Sequence, residues 1–148
     1  MNVLLALQGK DILEFLHGHV RDRPLVVCGD FNAEPSEPVY ATMVDDERFG
    51  FESAYRTLDG QEPPYTTWKI RGEGETCHTI DYVFFSGRHL TVRQLLAFPT
   101  GGDVGPDRVP SFQYPSDHFS LVVDLQMAAA SPAAADPLTP LSSNLMCL

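Results

Sequence analysis

Val27-Cys28-Gly29-Asp30-Phe31-Asn32-Ala33-Glu34 is the stretch from which both fold and chemistry are read in this chain. The apolar run Leu25–Cys28 has the length and continuity of a buried central strand, and Gly29 ends it. Asp30 and Asn32 then stand at the strand's C-terminal edge, a carboxylate and an amide placed where a phosphate can be held. Taken alone, Asp30-Phe31-Asn32 reads as an Asx-turn leading into a helix. Two later phrases tip that balance: Thr79-Ile80-Asp81-Tyr82-Val83-Phe84-Phe85, the strongest strand signal in the chain, and Ser116-Asp117-His118. Together the three bring carboxylates, an amide and an imidazole into one ordered pattern.

Outward from the Asp30 strand, Val3, Leu4, Leu7, Ile12, Leu13 and Leu16 keep helical spacing up to Gly18, and Arg21-Asp22-Arg23-Pro24 breaks it. On the other side, Ser36 is placed to cap a short helix carrying Val39, Tyr40 and Met43. Tyr65–Ile70 is β-branched and aromatic and predicts a strand, with Arg71-Gly72-Glu73-Gly74-Glu75 as a hairpin-like connection. Phe119–Leu125 predicts the last strand. Gly101-Gly102-Asp103 and the segment from Val104 to Pro115 are rich in turn formers and read as a mobile surface loop that carries Ser111–Tyr114 toward the Asp-His pair. Residues 1–126 thus form the folded part. From Met127 the composition collapses into Ala, Ser and Pro, and residues 127–148 read as a disordered tail.

Composition narrows the function classes. The chain has 148 residues, about one domain, and a hydrophobic content of 43%, ample for a core. Its formal net charge of −10 disfavours general RNA coating, so a polyanion must be met by a local basic patch or a metal. Cys28, Cys77 and Cys147 are odd in number and show no CxxC spacing, which points to free thiols in a reducing compartment and a cytoplasmic location. No apolar run reaches the roughly 18 residues of a membrane-spanning helix, so no membrane partner is expected.

Lys69 and Arg71 are the only closely spaced basic pair on a predicted strand, and alternation puts them on one face. Arg71 suits a bidentate phosphate contact and Lys69 a second point charge. A solvated strand face is the ordinary alternative. His78 beside Cys77 reads as a strand-end hydrogen bond rather than a metal ligand, and Tyr65 and Trp68 as core.

The phrases Pro24–Pro35, Glu62–Arg71 and Pro110–His118 resemble the endonuclease/exonuclease/phosphatase superfamily, which includes deoxyribonuclease I-like enzymes and the carbon catabolite repression type deadenylases. The resemblance runs from about Gln8 to about Leu125. It implies an α/β fold: a two-sheet α/β sandwich, of which this chain is the C-terminal half, with a mixed sheet and flanking helices. It further implies that Asp30 positions or deprotonates the attacking water, that Asn32 stabilises the phosphate, that His118 faces the scissile phosphate and that Asp81 orients His118. Asp117 is similar to a residue that touches a second metal in some relatives.

The reaction so implied is Mg2+-dependent phosphoester hydrolysis. Within the family the likeness is closest to the member that removes the 2′-phosphate of NADP(H), which makes NADP(H) the expected substrate and Lys69, Arg71 and Asn32 its contacts. Two alternatives stand beside it: 3′-to-5′ removal of poly(A) RNA by the same site, and a truncated, non-catalytic binding fragment. The family's principal magnesium ligand is a glutamate on an early strand, in a half of the domain that this sequence does not show. Neither Glu34, in the loop after Asp30, nor Glu62, beside two prolines, is placed to take its role. The expectation is therefore an incomplete site with weak or absent turnover, and an apolar sheet face left for the other half.

Overall fold

β5 (Asp81–Ser86) is the strand around which the chain is organised, and its sequence shows why. A strand points alternate residues to opposite faces, and Asp-Tyr-Val-Phe-Phe-Ser is apolar on both, so both faces can be covered. Tyr82 and Phe84 join one core with Leu13, Tyr40, Met43, Phe49 and Phe51. Phe85 turns the other way, into a second core with Ala54 and Leu90. The computed structural model describes residues 3–128; the expected tail from residue 127 lies almost wholly outside them.

The elements follow in the order α1 (Val3–His19), β1 (Val26–Asp30), α2 (Pro38–Val44), β2 (Phe51–Ser53), α3 (Ala54–Asp59), β3 (Thr67–Arg71), β4 (Gly74–His78), β5, β6 (Leu90–Leu95), α4 (Gly101–Val104) and β7 (Val123–Met127). They form an α/β fold with three small sheets, ordered β1-β5-β2, β3-β4 and β6-β7. Every described pairing is antiparallel. No described helix is long and apolar enough to cross a membrane.

Several boundaries differ from expectation. β1 is an edge strand rather than a buried central one: it pairs only with β5, and Val26, Cys28, Gly29 and Asp30 are exposed. A continuous apolar run cannot reveal by itself how many neighbours a strand has, and only Val27 and the preceding Leu25 pack on the core. α2 begins at Pro38 with Glu37, not Ser36, as its N-cap residue; the proline at N1 sets the start, and the Glu37 carboxylate accepts from the Glu34 N–H at 2.8 Å. The segment expected to be loop contains α4, held by a capping box in which Thr100 and Asp103 exchange side-chain and backbone hydrogen bonds. The final strand covers Val123–Met127, beginning later than expected because β6 opposes it there, with Leu90 opposite Met127.

Candidate functional site

Two carboxylates meet at one end of the β1–β5 pair because register places Asp30 directly opposite Asp81. Like charges across a strand pair repel, so the arrangement persists where an interaction partner offsets it. For Asp81 those partners are visible. Thr66, fully buried just before β3, donates its hydroxyl to Asp81 Oδ2 at 2.6 Å, while the same hydroxyl oxygen accepts the backbone N–H groups of Ile80 and Asp81. Asp81 Oδ2 also accepts from His118 Nδ1 at 2.8 Å. The carboxylate is thereby fixed in rotamer and the imidazole in orientation.

Asp30 is exposed, and its Oδ1 accepts the Asn32 N–H at 2.8 Å. This is Asx-turn geometry, and Asn32 takes the left-handed conformation it requires (φ 49°). The local-turn reading and the site reading of this motif therefore describe one conformation. The Phe31 N–H bonds to the Ile80 carbonyl, and the Tyr82 hydroxyl lies 2.7 Å from the Ala33 carbonyl, so the turn is tied on both sides to the approach to β5. Asp30, Asp81 and His118 bring one ligand atom each within 4.8 Å of one another.

His118 sits in a segment pinned along β3. Thr67 donates its hydroxyl to the Asp117 carbonyl at 2.7 Å, and the Phe119 N–H bonds to the Thr66 carbonyl at 2.8 Å. Phe119 itself is buried with Tyr65, Val104 and Val109 in a third core directly beneath the site. On the upper face of β3, Lys69 Nζ donates to Asp117 Oδ2 at 2.7 Å and lies 3.3 Å from His118 Nε2. An ammonium only donates, so Nε2 is the accepting nitrogen and Nδ1 carries the proton given to Asp81. The Nε2 lone pair is thus turned to the Lys69 ammonium, which must move aside before Nε2 can meet another proton.

Alternation places Lys69 and Arg71 on one face, as expected, but both turn to Asp117: Arg71 lies 3.5 Å from the same Oδ2. The Lys69 hydrogen bond holds the Asp117 carboxyl below its ordinary range. Asp117 thus stands apart from the Asp30–Asp81–His118 trio and serves the two cations. The trio of charges, two positive and one negative, keeps a net positive rim beside His118. A pocket of about 300 Å³ opens on the other side of His118, walled by Phe98, Tyr114 and Phe119.

Thr66 and the Lys69–His118 contact are the participants that sequence reasoning missed. For Thr66 the available signal was a β-branched hydroxyl repeated at Thr66-Thr67 before an apolar strand, which is equally the signature of plain β propensity. His78, read as a strand-end hydrogen bond, does bond through Nδ1 to Glu34 at 2.6 Å. Tyr65 is buried and Trp68 half-buried in the third core, and Cys28 and Cys77 are free thiols.

The donor set fits a hard divalent cation in part. Asp30 Oδ2 and Asp81 Oδ1 accept no hydrogen bond among the described residues, and Mg2+ is commonly held by one or two carboxylates with water and substrate phosphate completing the shell.

Residues 5–118 match the model of the Endonuclease/Exonuclease/phosphatase family. The chain is 48% identical over 141 residues to nocturnin of Drosophila melanogaster, covering 81% of this chain and 22% of that protein. It is 50% identical over 131 residues to human nocturnin, covering 85% of this chain and 30% of that one. The solved human nocturnin catalytic domain, determined with a bound sulfate anion, superimposes with a TM-score of 0.65 at 40% identity, covering 84% of this chain and 42% of that chain. The chain therefore spans less than a third of the length of these curated relatives.

Proposed function

Since the chain belongs to the endonuclease/exonuclease/phosphatase family, a hydrolase family with the nocturnins among its members, we propose that its site hydrolyses a phosphate monoester, and that the substrate is NADP(H), losing its 2′-phosphate. The observation that carries the reading is the Thr66–Asp81–His118 chain of hydrogen bonds, which fixes the imidazole beside Asp30, with one ligand atom of each of Asp30, Asp81 and His118 within 4.8 Å of the others.

In this reading Asp30 orients the attacking water and draws its proton, as its exposed Oδ2 allows. His118 faces the phosphate: protonated, with Asp81 balancing the imidazolium, it stabilises the developing negative oxygens and gives its proton to the 2′-oxygen as the bond from phosphorus to that oxygen breaks, while Asp30 holds the proton taken from water. Asn32 supplies an amide to the same phosphate from the turn that fixes its backbone. Lys69 and Arg71 attract the anion; Arg71, half-free in solvent, is the one able to leave Asp117 for a bidentate phosphate contact. The aromatic pocket beside His118 is placed to receive a ring of the dinucleotide.

Bound Mg2+, held by Asp30 and Asp81, would neutralise phosphate charge. With those two carboxylates alone to hold it among the described residues, turnover by this chain is expected to be slow. Poly(A) is the competing substrate, and the acidic net charge weighs against a long polyanion.

The test is phosphate release from NADP+ in Mg2+ by the chain and by His118→Ala, run beside a short oligoadenylate. Weak release from NADP+ that falls to background in the variant is the expected result. Release that survives the substitution overturns the role given to His118. Faster cleavage of the oligoadenylate overturns the choice of substrate.

A further inference from the structure

The end of the β1–β5 pair remote from Asp30 and Asp81 carries a second concentration of charge. β1 begins after Arg21-Asp22-Arg23 and β5 ends before Arg88-His89, with Val26 opposite Phe85 at that end and Asp30 opposite Asp81 at the other. Four residue steps at roughly 3.3 Å separate the two ends by about 13 Å, so this is not the candidate catalytic site. The turn between α2 and β2 adds Arg48 and Phe49. The three segments enclose a pocket of about 280 Å³.

Four guanidinium groups, from Arg21, Arg23, Arg48 and Arg88, line that pocket, out of ten Lys and Arg in a chain with twenty Asp and Glu. Ion pairs with a carboxylate are the exception among these ten cations in the described residues. Lys69, Arg71 and Arg108 do pair. Among the described residues the four pocket arginines form no ion pair with a carboxylate. Asp22, the one acidic side chain in the lining, bonds instead to His89 at 2.6 Å, and Asp46, in the same turn as Arg48, accepts the Phe49 N–H and lies 2.7 Å from His17 Nε2. Among the lining residues alone, four arginines against one carboxylate make a surplus of +3 in a molecule of −10, with Asp45, Asp46 and Glu47 on the turn that carries Arg48.

Two of the four are held in place without losing their charge. Arg48 donates to the Val20 carbonyl at 3.1 Å and lies 5.5 Å over the Phe49 ring, and Arg88 donates to the Glu47 carbonyl. Backbone carbonyls anchor a guanidinium yet leave most of its five donors unspent. Repulsion among fixed like charges is relieved by a multivalent anion, and planar forks match phosphate oxygens bidentately.

We propose that this pocket binds a polyphosphate group, such as pyrophosphate or the phosphate tail of a nucleoside triphosphate. Such a group carries about three negative charges near neutral pH, since a terminal phosphate has a pKa near 6. This matches the pocket's surplus and exceeds what a single phosphodiester offers.

Calorimetric titration of the 148-residue chain with pyrophosphate and with ATP, both without metal, tests the site. An oligoadenylate lacking terminal phosphates serves as the second arm. The variant is the double substitution Arg21→Gln and Arg23→Gln, whose side chains anchor nothing described; Arg93→Gln, an exposed cation on β6 outside both anion sites, is the control. Loss of two charge-assisted contacts should weaken pyrophosphate and ATP by roughly tenfold or more in the first variant and leave them unchanged in the second. Circular dichroism identical to the parent shows that the first variant is folded. The proposal is overturned if pyrophosphate fails to bind, if its affinity survives the Arg21/Arg23 change or falls equally with the Arg93 change, or if only the oligoadenylate responds to Arg21 and Arg23.

Discussion

Asp81 accepts two short side-chain hydrogen bonds through one oxygen, from Thr66 and from His118, and this single atom sets the tautomer of the imidazole. An amide in its place keeps the shape and can keep both bonds through its oxygen, but it removes the negative charge that balances an imidazolium and helps to hold a cation. The Asp81→Asn chain should therefore lose phosphate release by about 10²–10⁴-fold, the range that general acid–base groups contribute. Its far-ultraviolet dichroism should stay native. A rate within threefold of the parent would mean that Asp81 serves only to hold the fold. At this scale the residue types were readable: an Asp-Asn turn and a distant Asp-His pair carry their chemistry in their names. The tautomer was not, because it depends on Lys69 approaching Nε2 from a strand 49 positions away.

Among elements, β5 determines where the site forms. Its two apolar faces tie together two of the three cores, and Asp81 stands at its first position, so the carboxylate inherits the rigidity of the best-packed strand. Phe84 is fully buried and meets Phe31, Tyr40 and Tyr82 at ring-centroid distances of 5.2, 5.7 and 5.3 Å. Phe84→Ala should cost about 3–5 kcal/mol in urea unfolding, as buried aromatic truncations do, and should loosen the Asp30 turn through Phe31. A loss under 1 kcal/mol would show that this core is not cooperative with the rest. The periodicity of this strand was plain in the sequence, as was β3; β4 (Gly74–His78) was not, because Gly74 and Glu75 read as part of the connection that follows β3. The edge position of β1 was hidden, since an apolar run reads alike whether one neighbour or two flank it.

For the whole molecule, two buried phenols link stability to pH. Burial, helped by the hydrogen bond to Glu62, pushes the Tyr40 phenol up to about 12 from 10.0, and burial raises Tyr82 further still. Folded-state values above unfolded ones give stability that is fully present below about pH 10 and is lost as pH rises toward 12, because the unfolded chain sheds protons that the folded chain retains. The melting temperature should be flat from pH 8 to about 10 and fall steeply above it. Tyr40→Phe should make that fall shallower; an unchanged slope would assign it to other groups. The net charge of −10 adds general repulsion at high pH, which added salt screens and the tyrosine effect does not share.

The sequence by itself determined the α/β class, the order of the main strands, the family and the set of groups able to handle a phosphate. These follow from local periodicity and from residue chemistry, both of which are properties of short stretches. Tertiary structure alone decided which groups meet. Thr66 reaches Asp81, Lys69 divides itself between Asp117 and His118, and four arginines from three segments converge on one pocket. Such contacts join residues far apart in the chain, and they arise only when strand register and core packing bring backbones within a side chain's reach. A one-residue change of register would turn Lys69 and Asp81 to the opposite faces of their strands, which is why spacing in the sequence does not contain their contacts.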